Sequence, residues 1–373
     1  MFRFASPEDL DALVAIENHS FETDRISRRS FRYLLTHANA ATLVDDAEGG
    51  IRGYAMVLFN TGTSLARMYS YAVEPAHRGK GIGRALIHAC EELALARECI
   101  SMRLEVRPDN AASRSLFESL GYHYFETAPD YYEDHVEALR YEKLLVDHLN
   151  PELARVPYYQ QTLDFTCGPA SLMMAMKALD PEMELNRKLE LRIWRESTTV
   201  FMTSGLGGCG PYGLALSAYR RGFDVEVHVN DEGALFINSV RDPEKRVVME
   251  LVQEDFLTEL RQLPIKLVYG ALSGVELQSK FDAGGIPVVL ISSYRIYREK
   301  FPHWIVVTGH DQRSFYVHDP YVDEGKKKTA TDCINMPISR IDFQRMARYG
   351  KTGQKAVLIL SRRKPNGLSA RSV

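Results

Sequence analysis

The segment Gln161-Thr-Leu-Asp-Phe-Thr-Cys167-Gly168-Pro169-Ala-Ser-Leu-Met-Met-Ala-Met176 places one cysteine at the start of an apolar run with helical periodicity. Gly168 and Pro169 are residue types expected where a helix begins. A thiol at a helix N-terminus lies near the positive end of the helix dipole, which favours the nucleophilic thiolate. The segment therefore predicts a reactive cysteine in the first turn of a helix.

Two apolar segments downstream carry the partners that a nucleophilic cysteine needs. His303-Trp-Ile-Val-Val-Thr-Gly309 and Phe315-Tyr-Val-His-Asp319-Pro320 each have the pattern of a buried strand. His303 can act as the base, and Asp319 can act as the carboxylate that orients it. Gln161 lies six residues before the cysteine, where its side-chain amide could help to form an oxyanion hole.

From about residue 155 to residue 362, these segments, together with Gly285-Ile-Pro-Val-Val-Leu290, resemble the C39-like group of papain-like peptidases. The resemblance implies an α+β papain-like cysteine peptidase fold. It also implies Cys167 as nucleophile, His303 as base, Asp319 as the orienting carboxylate and Gln161 as oxyanion donor.

The first half of the chain carries a different pattern. Leu65–Val73 is a predicted strand, and it runs into Arg78-Gly79-Lys80-Gly81-Ile82-Gly83-Arg84, where a long amphipathic helix begins. Glycines let backbone N–H groups approach an anion, and the helix dipole favours phosphate there. A dinucleotide-binding fingerprint does not fit, because its three-glycine pattern is incomplete. The segment predicts a site for a phosphorylated ligand.

Residues 1–146 resemble the GNAT acetyltransferases, a fold with a mixed central sheet flanked by helices. The resemblance is carried by the glycine loop, by Leu104-Glu105-Val106 and by Asn110 followed by Ser115-Leu-Phe117-Glu-Ser-Leu-Gly-Tyr122. It implies acetyl-CoA as co-substrate and Glu105 as the base for the acceptor amine. The residues that it implies for acetyl-CoA binding are Val73, Arg78, Gly79, Lys80, Gly81, Ile82, Gly83, Arg84 and Asn110.

One position departs from the acetyltransferase pattern. Phe117 stands where relatives of this type usually have a tyrosine that protonates the departing thiolate, and phenylalanine has no proton to give. Three explanations stay open: Tyr124, Tyr131 or Tyr132 supplies the proton, water does so, or the domain binds acyl-CoA without efficient turnover. The cluster Asp130-Tyr-Tyr-Glu-Asp-His135 lies where such enzymes bind a peptide, although it also suits an ordinary surface.

Length and composition indicate two domains of a water-soluble protein. At 373 residues, with 45% hydrophobic and 25% charged residues, the chain is too long for one typical core. We predict an acetyltransferase domain over residues 1–146, a linker over 147–155, a peptidase domain over 156–362 and a disordered tail over 363–373. The net charge of −3 gives no reason to expect a nucleic-acid partner.

The cysteine pattern and the N-terminus predict a cytoplasmic location. The five cysteines are odd in number and lack CxxC spacing, which argues against a zinc site and a disulfide framework. We expect no bound metal. No apolar run is long enough for a membrane span, and the first residues lack the apolar core of a signal peptide. We therefore expect no membrane partner.

Two further segments are interpreted without catalytic roles. The loop Thr203-Ser-Gly-Leu-Gly-Gly-Cys209-Gly-Pro-Tyr212 lacks the Lys-Ser/Thr pair of a phosphate cradle, so we expect a flexible loop or a groove wall. No glutamine precedes Cys209 at the required distance, so we do not expect it to be the nucleophile. Lys326–Lys328 is expected to be a solvated run of charge.

Together these patterns predict a bifunctional protein that acts on peptides or protein termini. Its first domain would acetylate an α-amine, and its second would cleave a peptide bond through a thioester on Cys167. Two alternatives remain. The cysteine site could transfer an acyl group, as in a ligase, cyclase or deamidase. The first domain could instead be an acyl-CoA sensor that regulates the peptidase.

Overall fold

The computed structural model describes residues 2–147, 149, 151–199, 207–237, 240 and 242–363. They form two compact units. The first unit contains the described part of Met1–Asn150 together with Asp323–Asp332, and the second contains the described parts of Pro151–Val322 and Cys333–Val373. The first unit therefore includes a ten-residue segment from far along the chain, which the sequence did not indicate.

The first unit is built on a seven-stranded sheet in the order β1-β2-β3-β4-β5-β7-β6. Its strands are β1 Phe2–Phe4, β2 Ala40–Ala47, β3 Gly50–Phe59, β4 Leu65–Val73, β5 Ser101–Val106, β6 His123–Ala128 and β7 Ala138–Leu144. Strands β4 and β5 pair in parallel, and the other neighbours pair antiparallel. This mixed sheet agrees with the predicted α/β fold.

Helices cover both faces of this sheet. They are α1 Leu10–Ser20, α2 Arg28–Thr36, α3 Ile82–Ala96 and α4 Ala111–Ser119. Successive strand residues point to opposite faces. In β3, Ala55 and Val57 join the core that contains α3, while Tyr54 and Met56 join the core that contains α1 and α2.

The sheet opens between β4 and β5. Their ladder pairs only Leu65–Arg67 with Ser101–Arg103, although β4 continues to Val73 and β5 to Val106. Backbone N–H and C=O groups need partners, so the stretch of β4 beyond Arg67 offers hydrogen-bonding groups that β5 does not use.

The second unit is built on a larger sheet in the order β10-β9-β15-β11-β12-β13-β14, with β8 added on β12. Its strands are β8 Glu152–Leu153, β9 Phe223–Val229, β10 Lys266–Tyr269, β11 Ile286–Ser292, β12 Pro302–His310, β13 Ser314–His318, β14 Met336–Ser339 and β15 Ala356–Arg362. Strands β9 and β10 are parallel, and the other pairs are antiparallel.

Seven helices of the described residues pack on this sheet. They are α5 Cys167–Leu179, α6 Arg187–Ser197, α7 Pro211–Arg220, α8 Pro243–Arg261, α9 Gly274–Asp282, α10 Tyr294–Tyr297 and α11 Arg340–Met346. Helices α5 and α7 contribute to one core together with Val288 and Val306. Leu277 of α9 and Phe343 of α11 join a second core on the other face, with Val289 and Ile305.

The predicted elements around Cys167 and His303 are present, with α5 starting at the cysteine and β12 covering the histidine. The sequence did not indicate helices α6, α8 and α9, which lie between α5 and β11. Thr203–Leu206 of the predicted loop and all of the predicted tail except Arg363 lie outside the described residues.

Candidate active sites

Cys167 is the first residue of α5, as the sequence predicted, and is only 8% exposed. Close packing at the next residue fixes this helix start. A Cβ atom on Gly168 would lie 3.2 Å from Trp304 Cδ1 and 3.2 Å from Leu214 Cδ1, so a larger residue here would require these side chains to move by a few tenths of an ångström. The Ser171 hydroxyl also donates to the Trp304 carbonyl at 3.0 Å, which ties α5 to β12 beside His303.

His303 lies in β12 and is fully enclosed. Its Nε2–H donates to Asp319 Oδ1 at 2.6 Å, so its other ring nitrogen is not used by Asp319. Burial alone would lower the pKa of His303, but the Asp319 carboxylate and Cys167 raise it to about 10. An imidazole with a raised pKa keeps its proton at neutral pH and can act as a general acid.

Asp319 follows β13 and is completely buried. Burial acts to raise the pKa of this carboxyl, but the charge of His303 and hydrogen bonds from His303, Tyr297 and the Tyr321 backbone N–H lower it below the usual range. The Tyr321 N–H donates to Oδ1 at 2.9 Å. The carboxylate therefore stays ionised and is held in one orientation.

Tyr297 is a member of this site that sequence reasoning missed. Its hydroxyl donates to Asp319 Oδ2 at 2.6 Å, and its ring meets the His303 ring edge-on at 6.0 Å. It ends the four-residue helix α10. No spacing rule marks this position, since the contact depends on how α10 folds back beside β12.

Gln161 lies beside the Asp319 loop, because its backbone N–H donates to the Pro320 carbonyl at 2.9 Å. Its side-chain Nε2–H donates to the Leu163 carbonyl at 2.8 Å, and Oε1 has no hydrogen-bond partner among the described residues. In this arrangement the amide is buried and one of its N–H groups is used by the Leu163 carbonyl. Its role as oxyanion donor stays a prediction.

Cys209 is a second buried thiol near Cys167. Its Cβ lies 3.3 Å from where a Cβ on Gly168 would stand, and its carbonyl accepts from Trp304 Nε1 at 3.0 Å. Burial, with a smaller contribution from Cys167, raises the pKa of Cys209 well above its usual value. Such a thiol is a poor nucleophile at neutral pH. All five cysteines are free thiols.

In the first unit, the glycine loop forms the N-terminus of α3. Gly79 and Gly81 have φ values of +75° and +82°, a region that other residues rarely adopt. The loop is exposed, and its polar groups surround the helix start: Arg78 donates to the Val73 carbonyl and Arg84 to Ser119 Oγ. Free amides at a helix N-terminus and nearby cations suit a pyrophosphate.

The remaining residues predicted to bind acetyl-CoA lie around the same loop. Val73 is the last residue of β4, Ile82 begins α3, and Lys80 Nζ donates to the Ala76 carbonyl. Asn110 caps α4, with Oδ1 accepting from the Ser113 N–H at 3.1 Å. The pattern of an open sheet, an exposed glycine loop and a helix N-terminus fits acetyl-CoA as co-substrate.

Glu105 lies in β5 with its side chain only 6% exposed. Its Oε1 accepts from Arg67 NH1 at 3.3 Å and from the Thr329 hydroxyl at 3.2 Å. Thr329 belongs to Asp323–Asp332, the distant segment of the first unit. The sequence did not predict that this carboxylate would be held by a residue so far along the chain.

The same segment makes further polar contacts with the sheet. Arg67 NH2 donates to the Lys327 carbonyl at 2.6 Å, Arg103 NH1 donates to the Thr331 carbonyl at 2.8 Å, and Asn60 Nδ2 donates to Asp332 Oδ1 at 2.9 Å. Both guanidinium groups are buried, so these partners compensate their desolvation. Lys328 is also buried, which corrects the expectation that Lys326–Lys328 is fully solvated.

Phe117 is buried between two tyrosine rings, those of Tyr71 and Tyr122. Of the three predicted substitutes for its missing hydroxyl, Tyr124 is 54% exposed and its hydroxyl pairs with Thr127. Tyr131 and Tyr132 follow β6, and their burial, with a smaller contribution from the charge of Glu105, raises their pKa values. None of the three rings contacts Phe117 in the described structure.

One group of side chains outside both sites could hold a cation. Glu152, Asp282 and His310 each place a ligand atom within 4.8 Å of the others. His310 Nε2–H donates to Asp282 Oδ1 at 2.6 Å, and both carboxylates are exposed. The buried imidazole is already paired with a carboxylate, so this group is satisfied without a metal.

Comparison with known proteins identifies both units. Residues 156–361 match the model of the Peptidase_C39 like family, which is more than half of the 373 residues. The chain therefore belongs to the Peptidase_C39 like family. Residues 10–122 match the model of the Acetyltransferase (GNAT) family, so the first unit carries a GNAT domain.

Individual relatives match the first unit. A Bacillus subtilis (strain 168) protein named for ribosomal protein bS18-alanine N-acetyltransferase activity is 27% identical over 130 residues, 35% of this chain and 85% of the relative. The ribosomal protein bS18-alanine N-acetyltransferase of Escherichia coli (strain K12) is 40% identical over 68 residues, 18% of this chain and 45% of that protein. The crystal structure of the ribosomal-protein-S18-alanine N-acetyltransferase from Escherichia coli matches with a TM-score of 0.36 and 23% identity, covering 40% of this chain and 98% of the other.

No helix among the described residues is long and apolar enough to cross a membrane.

Proposed function

We propose that this protein is a bifunctional modifier of peptides, with a thiol peptidase site at Cys167 and an acetyl-CoA-dependent N-acetyltransferase site at Glu105. The observation that carries the peptidase proposal is the buried His303–Asp319 pair at 2.6 Å beside a cysteine that begins a helix. This combination supplies a nucleophile, a base and an orienting carboxylate.

At the thiol site, the Cys167 sulfur attacks the carbonyl carbon of a peptide bond, and His303 donates its proton to the departing amine. His303 then takes a proton from water, which splits the thioester and releases the acid. Gln161 and the Cys167 backbone N–H are the proposed oxyanion donors. The packing of α5 against β11 and β12 supports a papain-like arrangement of this domain.

At the transferase site, the amides of Gly79–Arg84 bind the pyrophosphate of acetyl-CoA, and the open stretch of β4 binds the arm that carries the thioester. Glu105 accepts the proton that the acceptor amine loses. The acceptor class that we propose is an α-amine of a peptide; two relatives of the first unit are named as N-acetyltransferases of an alanine of ribosomal protein bS18.

Joining the two activities in one chain suggests an order of reaction. Cleavage at Cys167 exposes a new α-amine, and the acetyltransferase then caps that amine. A second candidate function is favoured by the missing hydroxyl at Phe117: the first domain would bind acyl-CoA and regulate the peptidase without releasing CoA.

Two assays on the same preparation test these proposals. Peptide cleavage should disappear in Cys167→Ala while release of free CoA with an added peptide amine persists. In Glu105→Gln, release of free CoA should disappear while peptide cleavage persists. If acetyl-CoA changes the cleavage rate but no free CoA appears, the regulatory function replaces the transferase. If neither variant changes either reaction, both sites are wrongly assigned.

A further inference from the structure

Transfer of an acetyl group from a thioester leaves a thiolate that requires a proton. Phe117 cannot provide one. The need for another proton donor rests on the proposed transferase function, and Tyr71, one of the two tyrosines that pack against Phe117, is placed to be that donor.

The Tyr71 ring meets the Phe117 ring edge-on, with centroids 5.5 Å apart and an interplanar angle of 80°. Its hydroxyl lies 3.3 Å from Ser113 Oγ. Ser113 precedes Phe117 by four residues on α4, and residues at that spacing share one helix face. The Tyr71 hydroxyl therefore lies along the face of α4 that carries Phe117.

Tyr71 also lies where acetyl-CoA would pass. It belongs to the stretch of β4 beyond Arg67 that has no ladder with β5. A Cβ on Gly83 would lie 3.5 Å from Tyr71 Cε2, so the ring stands against the first turn of α3, directly after the pyrophosphate loop. The side chain thus spans from the anion site to Phe117.

The Tyr71 hydroxyl is in the protonation state that a proton donor requires. Burial raises the pKa of Tyr71, while the hydrogen bond with Ser113 acts in the opposite direction. The hydroxyl consequently carries its proton at neutral pH. The side chain is only partly buried, so water can return a proton to it.

We propose that Tyr71 is the catalytic acid of the acetyltransferase and takes the place of a hydroxyl at position 117. The acceptor nitrogen forms a bond with the acetyl carbon as the carbon–sulfur bond breaks. The sulfur takes the proton of the Tyr71 hydroxyl, and the amine proton passes to Glu105. Solvent then removes the proton from Glu105 and restores the one on Tyr71, so that an amide and a thiol are the net products.

The kinetic test moves the hydroxyl from one ring to the other. Tyr71→Phe should lower kcat for acetyl transfer about 10²-fold with little change in KM for acetyl-CoA. The double variant Tyr71→Phe with Phe117→Tyr should recover most of that loss. Tyr122→Phe is the matched control, because this second ring also contacts Phe117 but its hydroxyl is directed at Met102 Sδ; its kcat should stay near wild type.

A binding test reports on the same contact without turnover. The wild type should bind CoA more tightly than desulfo-CoA, because the hydroxyl contacts the sulfur. Tyr71→Phe should lose that preference, and the double variant should regain it. Unchanged kcat and unchanged preference in Tyr71→Phe would overturn the assignment of Tyr71. A wild type that shows the preference but never acetylates a peptide would support the contact and overturn the proposed transferase.

Discussion

The two candidate sites differ in how complete they are without a ligand. At the thiol site, His303 and Asp319 are enclosed and each has its partners within the second unit. At the transferase site, the glycine loop is exposed and the sheet is open between β4 and β5. A nucleophilic site must keep its own charges in place, whereas a co-substrate site must leave backbone groups for the molecule that it binds.

We expect the largest loss of activity when the nucleophile or the base of the thiol site is removed. Cys167→Ala or His303→Ala should reduce peptide cleavage at least about 10³-fold, since nucleophile and base act as one unit. Acetyl transfer measured on the same samples should be unchanged. Cys209→Ala removes a neighbouring buried thiol and is the control. Cleavage that falls equally in all three variants would indicate damage to packing and would contradict the assignment.

The next effect concerns pH. The imidazole of His303 is cationic below its pKa of about 10, and it must carry its proton to protonate the departing amine, so peptide cleavage should fall as the pH rises through about 10. Asp319→Asn removes the main cause that raises this pKa, and burial then lowers it. In this variant the decline of the cleavage rate at alkaline pH should therefore begin at a lower pH, and cleavage should be about 10²-fold slower. A decline that begins at the same pH as in the wild type would contradict the role of Asp319 in raising the pKa of His303.

Removal of the Tyr297 hydroxyl tests how firmly the Asp319 carboxylate is held. Tyr297→Phe should lower kcat for cleavage about 10-fold, because it removes one hydrogen bond to a charged carboxylate, while KM changes little. Tyr158→Phe is the control, since that hydroxyl donates to the backbone carbonyl of Asp319 at 3.0 Å. Equal losses in the two variants would show that Asp319 is not specifically held by Tyr297.

The smallest effect tests whether the distant segment supports Glu105. Thr329→Val keeps the shape of the side chain but removes its hydrogen bonds to Glu105 and Arg67. We expect acetyl transfer to fall a few-fold, about 1 kcal/mol, and Thr329→Ser to restore it. In the Glu105→Gln background the same change should have little further effect. A faster reaction in Thr329→Val would mean that the segment obstructs the site.

Local patterns predicted much of this molecule. The helix that begins at Cys167 and the strand that carries His303 follow from a glycine–proline start and from buried apolar runs. The glycine loop before α3 follows in the same way. In each case the signal lies within about ten consecutive residues, where periodicity and turn chemistry act.

The parts that were missed depend on contacts between distant residues. Tyr297 meets Asp319 only because α10 and the Asp319 loop are brought together, and Thr329 meets Glu105 across 224 positions of sequence. Tyr71 has the pattern of an ordinary strand residue until Phe117 is seen beside it. No local signal marks such partners, because their roles arise from tertiary packing.

Tandem mass spectrometry of a defined peptide incubated with the wild type and acetyl-CoA would show whether cleavage and acetylation occur in sequence. The predicted result is a set of shorter fragments whose new N-termini carry an acetyl group, with neither cleavage nor new acetylated termini in Cys167→Ala. Cleaved fragments with free N-termini, under conditions where intact peptide amines are acetylated, would contradict the proposed order of the two reactions. Absence of cleavage by the wild type would contradict the peptidase itself.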